Sequence, residues 1–147
     1  MITQAIERLQ YLCNTIPARL TEVDGQGFSS KPAPDKWSKK EIIGHLIDSA
    51  TYNHMRFVRG QFEDTPKIVY DQNNCNRFNY YDKIDGKQLI SFWHIYNLQL
   101  VELIKQIPEE GLKRRCYGGG ETAHTLEFLF NDYVEHLEHH LKQIVNY

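Results

Sequence analysis

Apolar residues recur along this chain at helical rather than strand spacing. Ile2, Ile6, Leu9, Leu12, Cys13 and Ile16 form one stripe, which stops before Pro17 because proline removes a backbone donor and crowds the preceding turn. A second stripe opens at Ser38 and Glu41, whose spacing is that of a capping box. It runs through Ile42, Ile43, Leu46, Ala50 and Phe57 to about Gly60. A third begins at Asp85–Gln88, carries Leu89, Phe92, Trp93, Tyr96, Leu100, Leu103 and Ile104, and ends before Pro108. The fourth follows Gly118–Gly120, which reads as a turn, and runs from about Thr125 to the C-terminus. Few segments alternate with the period of two that a strand needs. The pattern predicts an all-α fold, a single domain over residues 1–147 built as a four-helix bundle with long connections. Of those connections, 61–84 is rich in asparagine and aromatics. Aromatic residues need burial, so this segment is expected to fold over one end of the bundle, with a short helix near 71–79.

Helical geometry also sorts the histidines. A helix turns about 100° per residue. With His136 as origin on the last helix, His140 stands about 40° away, Gln143 about 20° to the other side and Tyr133 about 60° away. The arc of Leu126, Phe130, Val134, Leu137, Leu141, Ile144 and Val145 is centred about 120° from His136. His136 and His140 therefore border the core, one turn apart, a spacing that lets one helix offer two nitrogens to a metal ion. Leu137 stands where a zinc-protease helix would have Glu, so that reaction is not implied. His139 falls on the side away from the core and reads as a bystander. On the second helix, His45 borders its apolar arc in the same way, with Ser49, Tyr52 and Arg56 within about 40° of it. Two helices packed through their apolar arcs would bring both polar borders to one groove and assemble His45, His136 and His140. Tyr52, Arg56, Tyr133 and Gln143 lie on the ligand-bearing faces and are the candidates for contacting substrate or orienting ligands. Asp48 is a candidate acceptor for the His45 ring. His54, His94 and His124 read as ordinary polar positions, Trp93 and Tyr96 as core, and Trp37 as a staple at a helix start.

Composition narrows the classes. With 41% hydrophobic and 24% charged residues the chain is ordinary for a globular domain, and its formal net charge of -2 gives no reason to expect nucleic acid. No stretch has the apolar length to span a bilayer, and Met1–Arg8 lacks a signal-peptide layout. Cys13, Cys75 and Cys116 are odd in number and contain no CxxC, which fits a reducing cytoplasm rather than a disulfide framework. The Gly118–Gly120 run lacks the Lys-Ser/Thr of a phosphate loop.

The segment Trp37–Ala50 resembles the helix-two signature of the DinB/YfiT-like family of metalloenzymes: Trp37-Ser38, Glu41 three residues on, then Gly44-His45-Leu46 and Asp48. His136, His139, His140, Gln143 and Ile144 are similar to that family's closing motif, and Arg56–Phe62 with Pro66 and Tyr70–Gln72 extend the likeness over nearly the whole chain. The resemblance implies an up-down-down-up bundle, a homodimer, and a divalent metal ion, zinc or nickel, held by one histidine from the second helix and two from the fourth. Those positions are His45, His136 and His140. Family activities include S-transfer with low-molecular-weight thiols, hydrolysis and isomerisation. Three imidazoles leave positions open on the ion, as catalytic sites do, where a water or a thiol is made more acidic. The expected activity is thiol-dependent S-transfer or hydrolysis of a small molecule. The alternative is a non-catalytic bundle that binds metal or a small ligand in a stress response.

Overall fold

The computed structural model describes residues 2–147, and four long helices carry it: α1 (Ile2–Thr21), α3 (Lys39–Arg59), α5 (Gly86–Gln106) and α7 (Leu126–Ile144). Between them lie short helices α2 (Gly25–Ser29), α4 (Gln72–Phe78) and α6 (Glu109–Leu112), a 3-10 turn at Tyr81–Lys83, and strands β1 (Arg115–Tyr117) and β2 (Ala123–Thr125). Side-chain oxygens close the orphan amides at three of the long helix starts. Ser38 and Glu41 form the capping box on α3, Asp85 accepts from Gln88 on α5, and Thr125 accepts from Phe128 on α7. Among the described residues no helix is long and apolar enough to cross a membrane.

Neighbouring residues fix the helix directions. Arg8 pairs with Glu138, and the Ile2 amide donates to Glu127, so α1 and α7 run parallel. Phe57 packs on Phe130 and Gly60 on Leu126, which makes α3 antiparallel to α7. Lys40 at the start of α3 shares a groove with Asp85 and Gly86 at the start of α5, and His54 bonds Tyr96, so those two run parallel. The topology is up-down-down-up. The core between the helices includes Leu9, Leu12, Ile16, Leu46, Trp93, Leu100, Phe130 and Leu137, all fully shielded from solvent.

Two expectations need correction. The first helix does not stop at Pro17 but continues to Thr21. Pro17 costs a backbone hydrogen bond, while Leu20, fully buried, anchors the final turn to the core. The segment after Gly60 does not fold over a bundle end. It forms a strap along the side of α3: Ile68 O accepts from Arg56, Tyr70 stacks on Tyr52, Asn76 donates to Glu41 O, and Asp82 O accepts from Lys40. Every residue from Ile43 to Ala50 is buried, which a helix achieves only when covered on all sides. The strap supplies the side that α5 and α7 leave open, and its helix α4 lies where the short helix was expected. Around the expected Gly118–Gly120 turn, β1 and β2 pair in antiparallel register, Cys116 opposite His124. Three residues per strand are too few to show a period.

Candidate metal centre

His45 projects from the second turn of α3 and His136 and His140 from successive turns of α7, antiparallel beside it. One ring nitrogen from each lies within 4.8 Å of the other two, and among the described residues this is the one cluster of three His, Cys, Asp or Glu side chains so arranged. His136 Nε2 and His140 Nε2 are 3.2 Å apart. A tetrahedral ion with nitrogen bonds of about 2.0–2.1 Å needs donors about 3.3 Å from each other. The His45 ring meets His136 and His140 edge-on, with centroids 5.2 and 4.8 Å away.

His45 is buried, and neither Nδ1 nor Nε2 has a hydrogen-bond partner. Buried polar atoms are nearly always satisfied, so an imidazole with both nitrogens orphaned, one of them within 4.8 Å of nitrogens on two more imidazoles, marks a place built for something else. The donor set fits a divalent ion. Burial, and then the neighbouring His140 and His136, push His45 down to about 3. Burial likewise lowers His136 and His140 from the usual histidine value. All three are thus neutral imidazoles near pH 7, the form that ligates metal.

The surroundings of the cluster differ from the sequence reading at Asp48 and at Tyr52. Asp48 does not serve the His45 ring. Its Oδ1 accepts from the Tyr81 hydroxyl at 2.6 Å and from Asn79 at 2.8 Å, and Oδ2 is unpartnered; burial raises its carboxyl. The ring of His45 is held instead by packing on Trp37, centroids 4.9 Å apart. Gln143 sits beside His140, its Oε1 3.2 Å from Nδ1. A proton on Nδ1 donated to Gln143 leaves Nε2 with a free lone pair, on the side of His136 and His45. His139 is exposed and lies outside the cluster.

A polar cavity of about 230 Å³ opens beside His136, walled by Ser49, Asn53, Arg56, Tyr70, Gln72, Gly118, Asp132 and Tyr133. Arg56 and Tyr133 are therefore brought to it. The Tyr133 hydroxyl is committed to Asn97 at 2.5 Å, so that residue offers the cavity its ring. Tyr52 is not among the walls. It stacks on Tyr70, which is, with ring centroids 4.4 Å apart. Asn53, Tyr70, Asp132 and the placement of Trp37 against His45 were not anticipated. A signal existed for Asn53: His45, Ser49, Asn53 and Arg56 form a polar stripe at helical spacing that borders the apolar arc of α3. Nothing periodic announced Tyr70, which arrives on the strap.

Comparison with known proteins places this architecture among relatives. A sequence model of the DinB superfamily matches residues 8–144. The Bacillus subtilis (strain 168) protein named "Putative metal-dependent hydrolase YfiT" is 24% identical over 135 residues, 88% of this chain and 76% of its own. The solved structure of YfiT from Bacillus subtilis, described as having an unusual four-helix bundle topology, superposes with a TM-score of 0.83 at 21% identity, over 97% of this chain and 83% of that one. A mycothiol-dependent maleylpyruvate isomerase superposes with a TM-score of 0.80 at 9% identity; this chain, covered to 98%, spans 60% of that protein. At these identities the superpositions show a shared fold.

Proposed function

The chain belongs to the DinB superfamily, and we propose that it is a metal-dependent enzyme that holds one divalent ion on His45, His136 and His140 and acts on a small molecule in the adjoining cavity. The observation that carries this is His45, a buried imidazole with both nitrogens unpartnered beside two further imidazoles. The relative named as a metal-dependent hydrolase supports the same reading. Imidazole donors suit zinc and nickel alike.

In this reading the protein divides the work among named groups. The three histidines stay neutral at pH 7 and present lone pairs. Gln143 fixes the tautomer of His140, and Trp37 fixes the ring of His45. A divalent ion, when bound, supplies Lewis acidity and lowers the pKa of a water or thiol in its open positions. With water as nucleophile the reaction class is hydrolysis; with a low-molecular-weight thiol it is S-transfer. The cavity beside His136 holds the electrophile near the ion.

Metal analysis of tag-free protein tests the proposal. Wild type is expected to carry near one equivalent of zinc or nickel, and His136→Ala to lose most of it, with two of three ligands left. Equal and negligible metal in both proteins would sink the reading. Turnover screens with ester and amide substrates, each run with and without an added thiol, then separate hydrolysis from S-transfer.

A further inference from the structure

Arg56 is 6% exposed and forms part of the cavity wall that also contains His136. All of its hydrogen-bond partners are uncharged. Nε donates to Ile68 O at 3.0 Å, Nη1 to Asn53 Oδ1 at 3.2 Å, and Nη2 to Gly118 O at 3.0 Å. Among the described residues no carboxylate lies within 4.0 Å of it. A guanidinium has five N–H groups and keeps its charge in proteins, so two donors and a full positive charge are left without a partner. Burying an uncompensated charge is costly, and tying the strap and the hairpin to α3 needs hydrogen bonds but no net charge. Asp132 shares the cavity wall but is exposed and beyond ion-pair distance. Burial pushes the Cys116 thiol up, so that sulfur stays neutral and supplies no anion.

We propose that Arg56 is the specificity residue of this cavity and that the substrate is a small carboxylic acid whose carboxylate completes the guanidinium's missing ion pair. The proposal rests on the cavity being the substrate site of the metal centre. Arg56 follows His45 by three turns of α3, about 16 Å along the axis. Its bond to Asn53 shows the side chain leaning back toward His45, as helical side chains do. The carboxylate therefore binds remote from the reacting atoms and fixes the orientation of the molecule. Ser49, Asn53, Tyr70 and Gln72 provide polar walls for the stretch between. Planar, two-donor recognition of a carboxylate is what a guanidinium does better than an ammonium.

Calorimetric titration with butyrate and its neutral analogue butyramide tests this, on chelator-stripped and on metal-loaded protein. Wild type is expected to prefer butyrate by at least about tenfold in both states. Asn53→Asp places a carboxylate on Arg56 Nη1 and is expected to fold and to lose that preference. Arg56→Gln is expected to lose it as well. Equal binding of the two probes to wild type, no binding of either, or a butyrate preference seen only with metal present would each overturn the assignment, as would a preference surviving intact in a folded Asn53→Asp. The wild-type comparison is sufficient if a variant does not fold. Metal content is measured separately, so a protein without metal that still prefers butyrate would sink the metal reading and leave Arg56 as a carboxylate-binding residue of a cavity that serves no metal centre.

Discussion

Gln143 touches both His139 and His140 at the end of α7, yet only His140 joins the cluster. His139 and His140 are adjacent, yet His140 turns Nε2 toward His136 while Gln143 Oε1 stands at its Nδ1. Groups that orient a metal-binding imidazole contribute roughly 10- to 100-fold in metal affinity. Gln143→Ala is therefore expected to weaken zinc binding by that factor in a competition titration against a chromogenic chelator. His139→Ala is expected to leave it unchanged. Equal affinity in wild type and Gln143→Ala would show that packing alone orients His140. The helical wheel found His45, His136 and His140 because each borders an apolar arc, and such borders are written in the spacing of the residues. It paired Asp48 with His45 wrongly because the true partners of Asp48, Tyr81 and Asn79, sit on an aperiodic strap whose path over α3 no local pattern records.

At the scale of elements, the four long helices were legible because each carries its own stripe, and three carry a start signal as well: Ser38, Asp85 and Thr125 all cap as their residue types predict. What tertiary packing decides was not legible. Pro17 lies inside α1 because the burial of Leu20 outweighs the lost amide bond, and β1 pairs with β2 over too few residues to announce themselves. The strap is the element with the greatest consequence for the site, since it covers α3 and brings Tyr70 to the cavity. It can lie so close because residue 44 is glycine. A Cβ at Gly44 would fall 2.2 Å from the Tyr81 ring. That ring is buried, and its hydroxyl is held by Asp48, so it cannot swing away freely. Gly44→Ala is expected to destabilise the protein by about 1–3 kcal/mol in urea unfolding, the usual range for overpacking. Adding Tyr81→Ala should remove most of that increment, giving a coupling term of more than about 0.5 kcal/mol. Additive effects of the two substitutions would mean that the strap does not press on α3 at this point.

For the whole molecule, the three histidines join α3 to α7, helices distant in sequence and packed antiparallel with a complete apolar seam of their own. That seam determines what removing a metal ion would do. Small domains that depend on a structural zinc have little core and unfold without it. Here Leu46, Phe57, Phe130, Tyr133 and Leu137 are shielded from solvent with no ion needed to bring them together. The metal-free protein is therefore expected to retain its helical circular dichroism and a cooperative melt. The ion would add stability by mass action alone, about 2.7 kcal/mol when free metal stands at 100 times its dissociation constant. For a domain of this size each kcal/mol moves Tm by about 2–4 °C, so zinc or nickel should raise Tm by roughly 5–10 °C and a chelator should reverse the rise. The rise should grow with the logarithm of free metal and be absent in His136→Ala. Loss of helical signal on chelation would instead mean that the ion holds the bundle together, and the cluster would have to be read as a structural site rather than one with open positions for chemistry.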